Sequence, residues 1–197
     1  MSGNDNINME YEARLILDEN EYSRLKEFYT SKYPNYRFIV NENFYFDTKD
    51  LYINNHNSML RVRSIDESKF ELTLKIDKPE GCIEINHLLT DKEKNELFIK
   101  GIIPKSNIKD KLEKMNIRPG DISLITNLKT ERIEIDFEDY LFVLDKNYFR
   151  NRVDFNLEVE SASNSLAKSK LLAIIAPFNI EYKNGYITKS RRAIYDL

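Results

Sequence analysis

Glu10-Tyr11-Glu12-Ala13-Arg14 is the stretch on which the prediction of the fold depends, because charged side chains occupy every second position in it. Successive side chains of a β-strand point to opposite faces, so this stretch predicts a strand with one charged face. On its own, such a strand is typical of an antiparallel sheet whose outer face is solvated. The same pattern recurs in Leu60-Arg61-Val62-Arg63, Arg132-Ile133-Glu134-Ile135-Asp136 and Leu157-Glu158-Val159-Glu160. If the sheet closes on itself with its charged faces inward, it forms a polar tunnel.

The composition indicates one soluble domain spanning residues 1–197, in which residues 1–7 are expected to form a disordered tail. Charged residues make up 32% of the chain, but the net charge is only −3, so the basic excess typical of nucleic-acid-binding proteins is absent. No apolar run approaches the about 18 residues of a membrane span, and the polar N-terminus has no apolar signal segment. Cys82 is the only cysteine, which excludes an intramolecular disulfide and fits a reducing compartment. We therefore expect a cytoplasmic protein without nucleic-acid or membrane partners.

Alternating segments and turn signals predict eight strands joined mostly by short connections, which favours antiparallel pairing. The predicted strands cover residues 8–17, 41–48, 58–65, 69–76, 82–88, 123–137, 140–146 and 153–161. The predicted helices cover residues 18–31, 91–99, 106–115 and 163–176. The first helix begins with a capping box formed by Asp18 and Glu21. Residues 182–197 are basic, and their pattern is compatible with either a strand or a helix.

Carboxylates form one of the two groups of charged residues on the alternating faces. Like charges that lie close together repel strongly unless a cation lies between them. Mg²⁺ and Mn²⁺ bind oxygen ligands, so two Glu-x-Glu strands placed side by side would supply a site for such an ion. The acidic group consists of Glu10, Glu12, Glu158 and Glu160, with Glu84 and Asp145 as further candidates.

Arginines and lysines form the second group. Arginine has a planar fork that suits phosphate oxygens, and lysine acts as a compact point charge. As an alternative, these side chains form cross-strand salt bridges with the glutamates, which contribute little at a surface. Inside a closed barrel, buried ions are costly unless they are fully paired, which favours a wet tunnel that admits phosphate and metal. The basic group consists of Arg14, Arg61, Arg63, Lys75, Arg132, Lys189 and Arg191.

The order of these segments resembles the CYTH superfamily, also called the triphosphate tunnel metalloenzymes, which includes thiamine triphosphatases, inorganic triphosphatases and some adenylate cyclases. The family signature on the first strand is E-x-E-x-K, and the matching stretch here ends in Arg14. The resemblance extends from residue 8 to about residue 194. Further segments that resemble family motifs are Tyr45-Phe46-Asp47-Thr48, Leu60-Arg61-Val62-Arg63, Leu72-Thr73-Leu74-Lys75, Leu144-Asp145, Leu157-Glu158-Val159-Glu160 and Tyr186-Ile187-Thr188-Lys189-Ser190-Arg191.

The resemblance implies an α+β fold, namely a closed eight-stranded antiparallel β tunnel, or barrel, with helices packed outside. In such a tunnel, acidic residues would hold one or two divalent metal ions, Mg²⁺ or Mn²⁺, and basic residues would hold a triphosphate. The metal residues would be Glu10, Glu12, Asp145, Glu158 and Glu160. The phosphate-binding residues would be Arg14, Arg61, Arg63, Lys75, Arg132, Lys189 and Arg191. The catalytic residues would be Glu12, Lys75 and Lys189.

The sequence also departs from the family pattern. Arg14 replaces the signature lysine. Arg191 lies one position earlier than the final arginine of the closing S-K-x-x-R segment of the family. Thr130 and Arg132 lie where the family has a basic pair. The resemblance implies metal-dependent hydrolysis of a small triphosphate, such as inorganic triphosphate or thiamine triphosphate. One alternative is a non-catalytic protein that binds triphosphate or polyphosphate, which the replacement of the signature lysine by Arg14 would allow. The other alternative is an adenylate cyclase. The expected partner is the small triphosphate, and assembly as a homodimer is left open.

Overall fold

A computed structural model of the chain describes residues 5–65, 69–118 and 120–196, and these ranges form eight β-strands and six α-helices. The strands are β1 (Asp5–Leu17), β2 (Arg37–Thr48), β3 (Ser58–Ser64), β4 (Phe70–Lys78), β5 (Gly81–Leu89), β6 (Ile122–Asp136), β7 (Tyr140–Tyr148) and β8 (Val153–Ser161). The helices are α1 (Glu19–Lys32), α2 (Tyr52–Asn55), α3 (Asp91–Lys100), α4 (Asn107–Lys114), α5 (Asn164–Ile175) and α6 (Lys189–Tyr195).

The strands form a closed antiparallel barrel in the order β1-β5-β4-β3-β2-β6-β7-β8. Closure depends on β1, whose residues 5–10 pair with β5 and whose residues 11–17 pair with β8. Most neighbours in the barrel are also neighbours along the chain, which is the arrangement that short connections impose on antiparallel strands. The predicted α+β fold, a closed eight-stranded barrel with helices outside, is therefore confirmed.

Helices cover the apolar outer face of the barrel in two separate cores. In the first core, α1 and α5 bury Leu25 and Leu171 against outward side chains such as Leu157 of β8. In the second core, α3 and α4 cover the outer side of β3, β4 and β5, where Leu97 packs in the same cluster as Leu72. Because burial of one leucine side chain contributes about 1.5–3 kcal/mol, these outer cores stabilise the barrel and leave its interior free to be polar.

The start of α1 is encoded locally, as the sequence predicts. The Asp18 carboxylate accepts a hydrogen bond from the backbone N–H of Glu21 at 2.7 Å, and Glu21 Oε2 accepts one from the Asp18 N–H at 2.9 Å. This reciprocal capping box satisfies two backbone donors that the first turn of a helix leaves without partners. It turns the chain sharply at the end of β1 and directs α1 back across the outer face of β8.

The structure differs from the predicted elements at several places, among them helix α2, which was not predicted. Residues 5–7 belong to β1 and pair with β5, so the predicted tail over residues 1–7 is wrong for these three, and residues 1–4 lie outside the described part of the chain. Strand β2 begins at Arg37, four residues before the predicted start at residue 41, because residues 37–41 extend the ladder with β6. The ambiguous C-terminal segment is a loop followed by α6.

Among the helices of the described residues, none is both long enough and apolar enough to cross a membrane.

Candidate active site

The inward faces of all eight strands, together with the loop that leads into α6, line a cavity of about 470 Å³. We call this cavity the lumen. Period-two alternation places the apolar side chains outside and the charged ones inside, as the sequence predicts. The predicted residues that line the lumen are Glu10, Glu12, Arg14, Arg61, Arg63, Lys75, Arg132, Glu158, Glu160, Lys189 and Arg191. Asp145 is completely buried and reaches this set through Arg132 and Lys189.

One wall of the lumen, made by β1 and β8, is rich in carboxylates. The register places Glu12 directly opposite Glu160, and Arg14 opposite Glu158. Like charges in directly opposed positions destabilise a sheet unless something neutralises them. Burial, and then the neighbouring Glu158 carboxylate, raise the pKa of Glu160 to about 7. Within the described residues Glu160 has no cationic side chain within 4.0 Å, so this wall favours an added proton or cation.

Arg14 forms a two-pronged contact with Glu12 on the same strand. Its Nε donates a hydrogen bond to Glu12 Oε2 at 2.7 Å, and its Nη2 donates to Glu12 Oε1. Arg14 Nε also lies 3.6 Å from Glu158 Oε1, and its Cζ lies 5.4 Å from the ring centre of Tyr186. Burial alone would lower the pKa of Arg14, but the two carboxylates outweigh it and raise that pKa.

A second cluster, made by Arg132, Asp145, Glu158 and Lys189, is closely paired. Arg132 Nε and Nη2 each lie 2.9 Å from a different oxygen of Asp145, and Nη2 also donates to Glu158 Oε2 at 3.1 Å. Lys189 contacts Asp145, and its Nζ lies 2.9 Å from Glu158 Oε1. Burial would raise the pKa of Glu158, but Lys189 and Arg132 outweigh it and hold that pKa well below its ordinary value.

Lys75 is shared between two carboxylates on the other side of β1. Its Nζ lies 2.7 Å from Glu84 Oε2 and also contacts Glu10. Asn86 Nδ2 donates to the second oxygen of Glu84 at 2.7 Å. Burial opposes ionisation of Glu84, but Lys75 and Asn86 lower its pKa to about 2, whereas burial raises the pKa of Glu10. One ammonium therefore serves as the counter-ion of two carboxylates.

Arg61 and Arg63 on β3 stand apart from these paired groups, on the far side of the barrel from β1 and β8. Across the described residues, neither has a carboxylate within 4.0 Å. Arg63 Nε donates to Asn43 Oδ1 at 3.2 Å, and Arg61 Nε is buried with no hydrogen-bond partner in the described part of the chain. Burial, and then the positive charges of Arg61 and Arg132, lower the pKa of Arg63 to about 9. This pair therefore favours an anion in the lumen.

Some lumen residues were not identified from the sequence. Asn41 and Asn43 lie on the inner face of β2, and their period-two spacing is the one signal that could have found them. Tyr186 lies in the loop before α6, where no periodicity applies. At the end of the chain, Arg191 is exposed at the edge of the lumen, whereas the next residue, Arg192, is buried against Asp154 with a contact of 2.8 Å.

The donor chemistry of the carboxylate wall fits a hard divalent cation. Glutamate oxygens are the ligands that Mg²⁺ and Mn²⁺ prefer, and a cation beside Glu160 would relieve the repulsion that raises its pKa. As the side chains stand, no three His, Cys, Asp or Glu residues of the described segments are grouped closely enough to enclose a metal ion. A cation here would therefore complete its coordination with water or phosphate oxygens, as Mg²⁺ usually does.

The barrel and its ionised interior define a class of closed β-tunnel protein whose charged groups face a common cavity. Residues 8–186 match the CYTH domain model, and the chain belongs to that family.

Known relatives agree with this assignment. Over 143 residues, 73% of each protein, the chain is 29% identical to "Putative triphosphatase YjbK" of Bacillus subtilis (strain 168). It is 25% identical to a solved structure described as a putative adenylate cyclase from Bacillus halodurans, with a TM-score of 0.84 over 94% of this chain and 97% of that one. The structure of HpAC1 from Hippeastrum is described as a "putative adenylyl cyclase" with a dominant triphosphatase activity. It has a TM-score of 0.77 at 19% identity, over 95% of this chain and 96% of that one, which shows a shared fold.

Proposed function

We propose that this chain hydrolyses a small triphosphate, such as inorganic triphosphate or thiamine triphosphate, in the lumen with the aid of Mg²⁺ or Mn²⁺. The observation that carries the proposal is the charge arrangement of the lumen. Among the described residues, the arginine pair Arg61 and Arg63 has no carboxylate partner, and it faces a carboxylate wall in which Glu160 has no cationic partner. A polyanion accompanied by a metal ion satisfies both sides at once, which no simple anion or cation does.

The arginine pair would bind the phosphate chain. Guanidinium groups form paired hydrogen bonds to phosphate oxygens, and Arg61 and Arg63 need not break an ion pair to do so. Lys75 and Lys189, which the family resemblance makes catalytic, each carry an ammonium that can turn from a carboxylate to a phosphoryl oxygen. Phosphoryl transfer depends mainly on positioning and on such charge neutralisation.

A bound divalent cation would supply further neutralisation of the phosphate oxygens and would lower the pKa of a coordinated water. Glu10, Glu12, Glu158 and Glu160 are the residues of the wall that would hold it, with the buried Asp145 behind them. Glu12 would also orient the attacking water. Three findings support hydrolysis: membership of the CYTH family, the similarity to a protein named "Putative triphosphatase", and the shared fold with the Hippeastrum protein.

The test is release of phosphate from inorganic triphosphate, thiamine triphosphate and ATP, with Mg²⁺, with Mn²⁺ and with EDTA. We expect metal-dependent release, and we expect Arg61→Gln to lower kcat/KM by about 100-fold, because about 2.7 kcal/mol of charge stabilisation is lost. The matched control is Arg24→Gln, which removes the same charge from the outer surface of α1.

The outcomes separate the three functions. Release no faster than that of a variant carrying both Glu158→Ala and Glu160→Ala would reject hydrolysis. Formation of cyclic AMP from ATP would identify a cyclase. Tight binding of triphosphate without any product would identify a binding protein.

A further inference from the structure

We propose that Arg14 is a built-in counter-ion of the carboxylate wall, which competes with the divalent cation for Glu12 and so weakens cation binding in the lumen. This inference rests on the proposed function, because the cation is taken from there. It concerns the residue at which the chain departs from the family signature.

The first support is the geometry of the contact. Arg14 engages both oxygens of Glu12, one through Nε at 2.7 Å and the other through Nη2. The same guanidinium lies 3.6 Å from Glu158 Oε1. A hard cation needs these same carboxylate oxygens. Because a hydrogen bond from Arg14 already occupies each oxygen of Glu12, the arginine and the cation compete for these oxygens, and a cation bound through both of them displaces the arginine.

The second support is that Arg14 is also held in position by an aromatic side chain. The Cζ atom of Arg14 lies 5.4 Å from the ring centre of Tyr186, within the range of a cation–π contact. The same ring lies 5.1 Å from Cζ of Arg192, and Arg192 Nε donates to Asp154 Oδ2 at 2.8 Å. Tyr186 is therefore a positioning residue, which fixes the guanidinium of Arg14 against Glu12.

The third support is the contrast with the lysines of the lumen. Lys75 and Lys189 each divide one ammonium between two carboxylates, whereas Arg14 covers one carboxylate with two hydrogen bonds. An arginine fork matches a carboxylate in a way that a point charge cannot. Glu160, directly opposite Glu12, has no such partner among the residues described. A divalent cation can therefore bind the Glu160 carboxylate directly, whereas it must compete with Arg14 for the Glu12 carboxylate.

The test measures Mn²⁺ binding directly, from the electron paramagnetic resonance signal of the free ion, in wild type and Arg14→Lys. Both proteins have the same net charge, so general electrostatics do not change. We expect Arg14→Lys to bind Mn²⁺ at least about threefold more tightly, because the two-pronged contact is lost. The matched control is Arg63→Lys, which makes the same substitution at a lumen arginine that has no carboxylate partner among the described residues, and it should leave the Mn²⁺ affinity unchanged.

Two variants of Tyr186 test the positioning role and cover the case in which Arg14→Lys does not fold. Tyr186→Phe keeps the ring and should bind Mn²⁺ as wild type does, whereas Tyr186→Leu removes the ring and should bind it more tightly. Circular dichroism in EDTA establishes that each variant is folded. A Mn²⁺ affinity of Arg14→Lys equal to or weaker than that of wild type overturns the inference, as does the absence of Mn²⁺ binding by every variant.

The result can be separated from the fate of the proposed function. If Arg14→Lys binds Mn²⁺ more tightly but no triphosphate is hydrolysed, the proposed function fails and the counter-ion role stands. If wild type hydrolyses triphosphate and Arg14→Lys binds Mn²⁺ no more tightly, the counter-ion role alone fails.

Discussion

Glu160 is the carboxylate whose protonation state the barrel changes most clearly. Burial, and then Glu158, raise its pKa from an ordinary 4.5 to about 7. The folded chain therefore holds this proton more tightly than the unfolded chain, and the resulting stability is present in full below pH 4.5 and is lost as the pH rises through 7. Glu160→Gln should thus increase the free energy of unfolding at pH 8 by about 1–3 kcal/mol and change it little at pH 4.

Urea denaturation at the two pH values measures this difference. Glu138→Gln is the matched control, because Glu138 is exposed in the turn between β6 and β7, and its exchange should alter stability by less than about 0.5 kcal/mol. A Glu160→Gln protein that is less stable than wild type at pH 8 would mean that the lumen favours the ionised carboxylate, contrary to this account.

Strand alternation was sufficient to find the charged side chains of the lumen, because the face of a residue is fixed by its position in the strand. It was not sufficient to pair them. Lys75 contacts Glu84 as well as Glu10, and sequence reasoning gave Glu84 only as a secondary candidate. Pairing depends on side-chain length and on the register between strands that are distant in sequence. The alternation of charged and apolar residues determines neither of them. The roles given to Glu12 and Lys189 stay predictions.

Helix α6 depends on one buried arginine. Arg192 donates to Asp154 Oδ2 at 2.8 Å and also contacts the carbonyl oxygen of Ile187, so it joins the helix to β8 and to the preceding loop. Arg192→Ala would remove a buried, hydrogen-bonded guanidinium and leave Asp154 with Arg152, 2.8 Å away, as its counter-ion, and it should lower the free energy of unfolding by about 2–4 kcal/mol. It should also speed amide hydrogen exchange within α6, because the helix makes few other contacts with the barrel.

The neighbouring residue provides the control for this prediction. Arg191 is exposed, so Arg191→Ala removes the same charge without a buried contact and should change stability by less than about 0.5 kcal/mol. Equal effects of the two exchanges, measured by urea denaturation and by hydrogen exchange monitored with mass spectrometry, would contradict the anchoring role of Arg192.

Elements with local signals were predicted well, and elements that depend on tertiary contacts were not. The capping box of Asp18 and Glu21 marks the start of α1 in the sequence itself. Helix α2 has no such mark, because Asp47 organises it by accepting hydrogen bonds from the backbone N–H groups of Ile53 and Asn54, both at 2.9 Å. Residues 182–188 show no period. Helix α6 begins at the N-cap Thr188, whose side chain accepts a hydrogen bond from the Arg191 N–H, and the contact of Arg192 with Asp154 attaches the helix to β8.

The barrel as a whole separates what stabilises the fold from what serves the lumen. The apolar clusters lie between the sheet and the helices, so changes of charge inside need not disturb them. Such an arrangement allows the interior to keep charges that oppose one another, and natural proteins commonly give up stability at functional sites in this way. Whether a charged side chain of the lumen is paired therefore determines whether its substitution by a neutral residue destabilises or stabilises the chain.

Arg61 and Arg63 provide the test of that separation. They are like charges without carboxylate partners in the described segments, and burial, followed by the charge of Arg61, lowers the pKa of Arg63. The double exchange of both to Gln should raise the melting temperature of the ligand-free chain by about 2–4 °C for each kcal/mol of repulsion removed. It should also abolish the stabilisation by inorganic triphosphate, which reaches about 2.7 kcal/mol for wild type at a ligand concentration of 100 times Kd.

Differential scanning calorimetry measures these melting temperatures, and Arg132→Gln is the contrasting control. Arg132 is as buried as Arg61, but it is paired with Asp145 and Glu158. Its exchange leaves those carboxylates short of a counter-charge and should lower the melting temperature of the ligand-free chain. If the double substitution of Arg61 and Arg63 also lowers the melting temperature, the two arginines stabilise the ligand-free fold. The lumen then has no unpaired positive charge that would favour a polyanion.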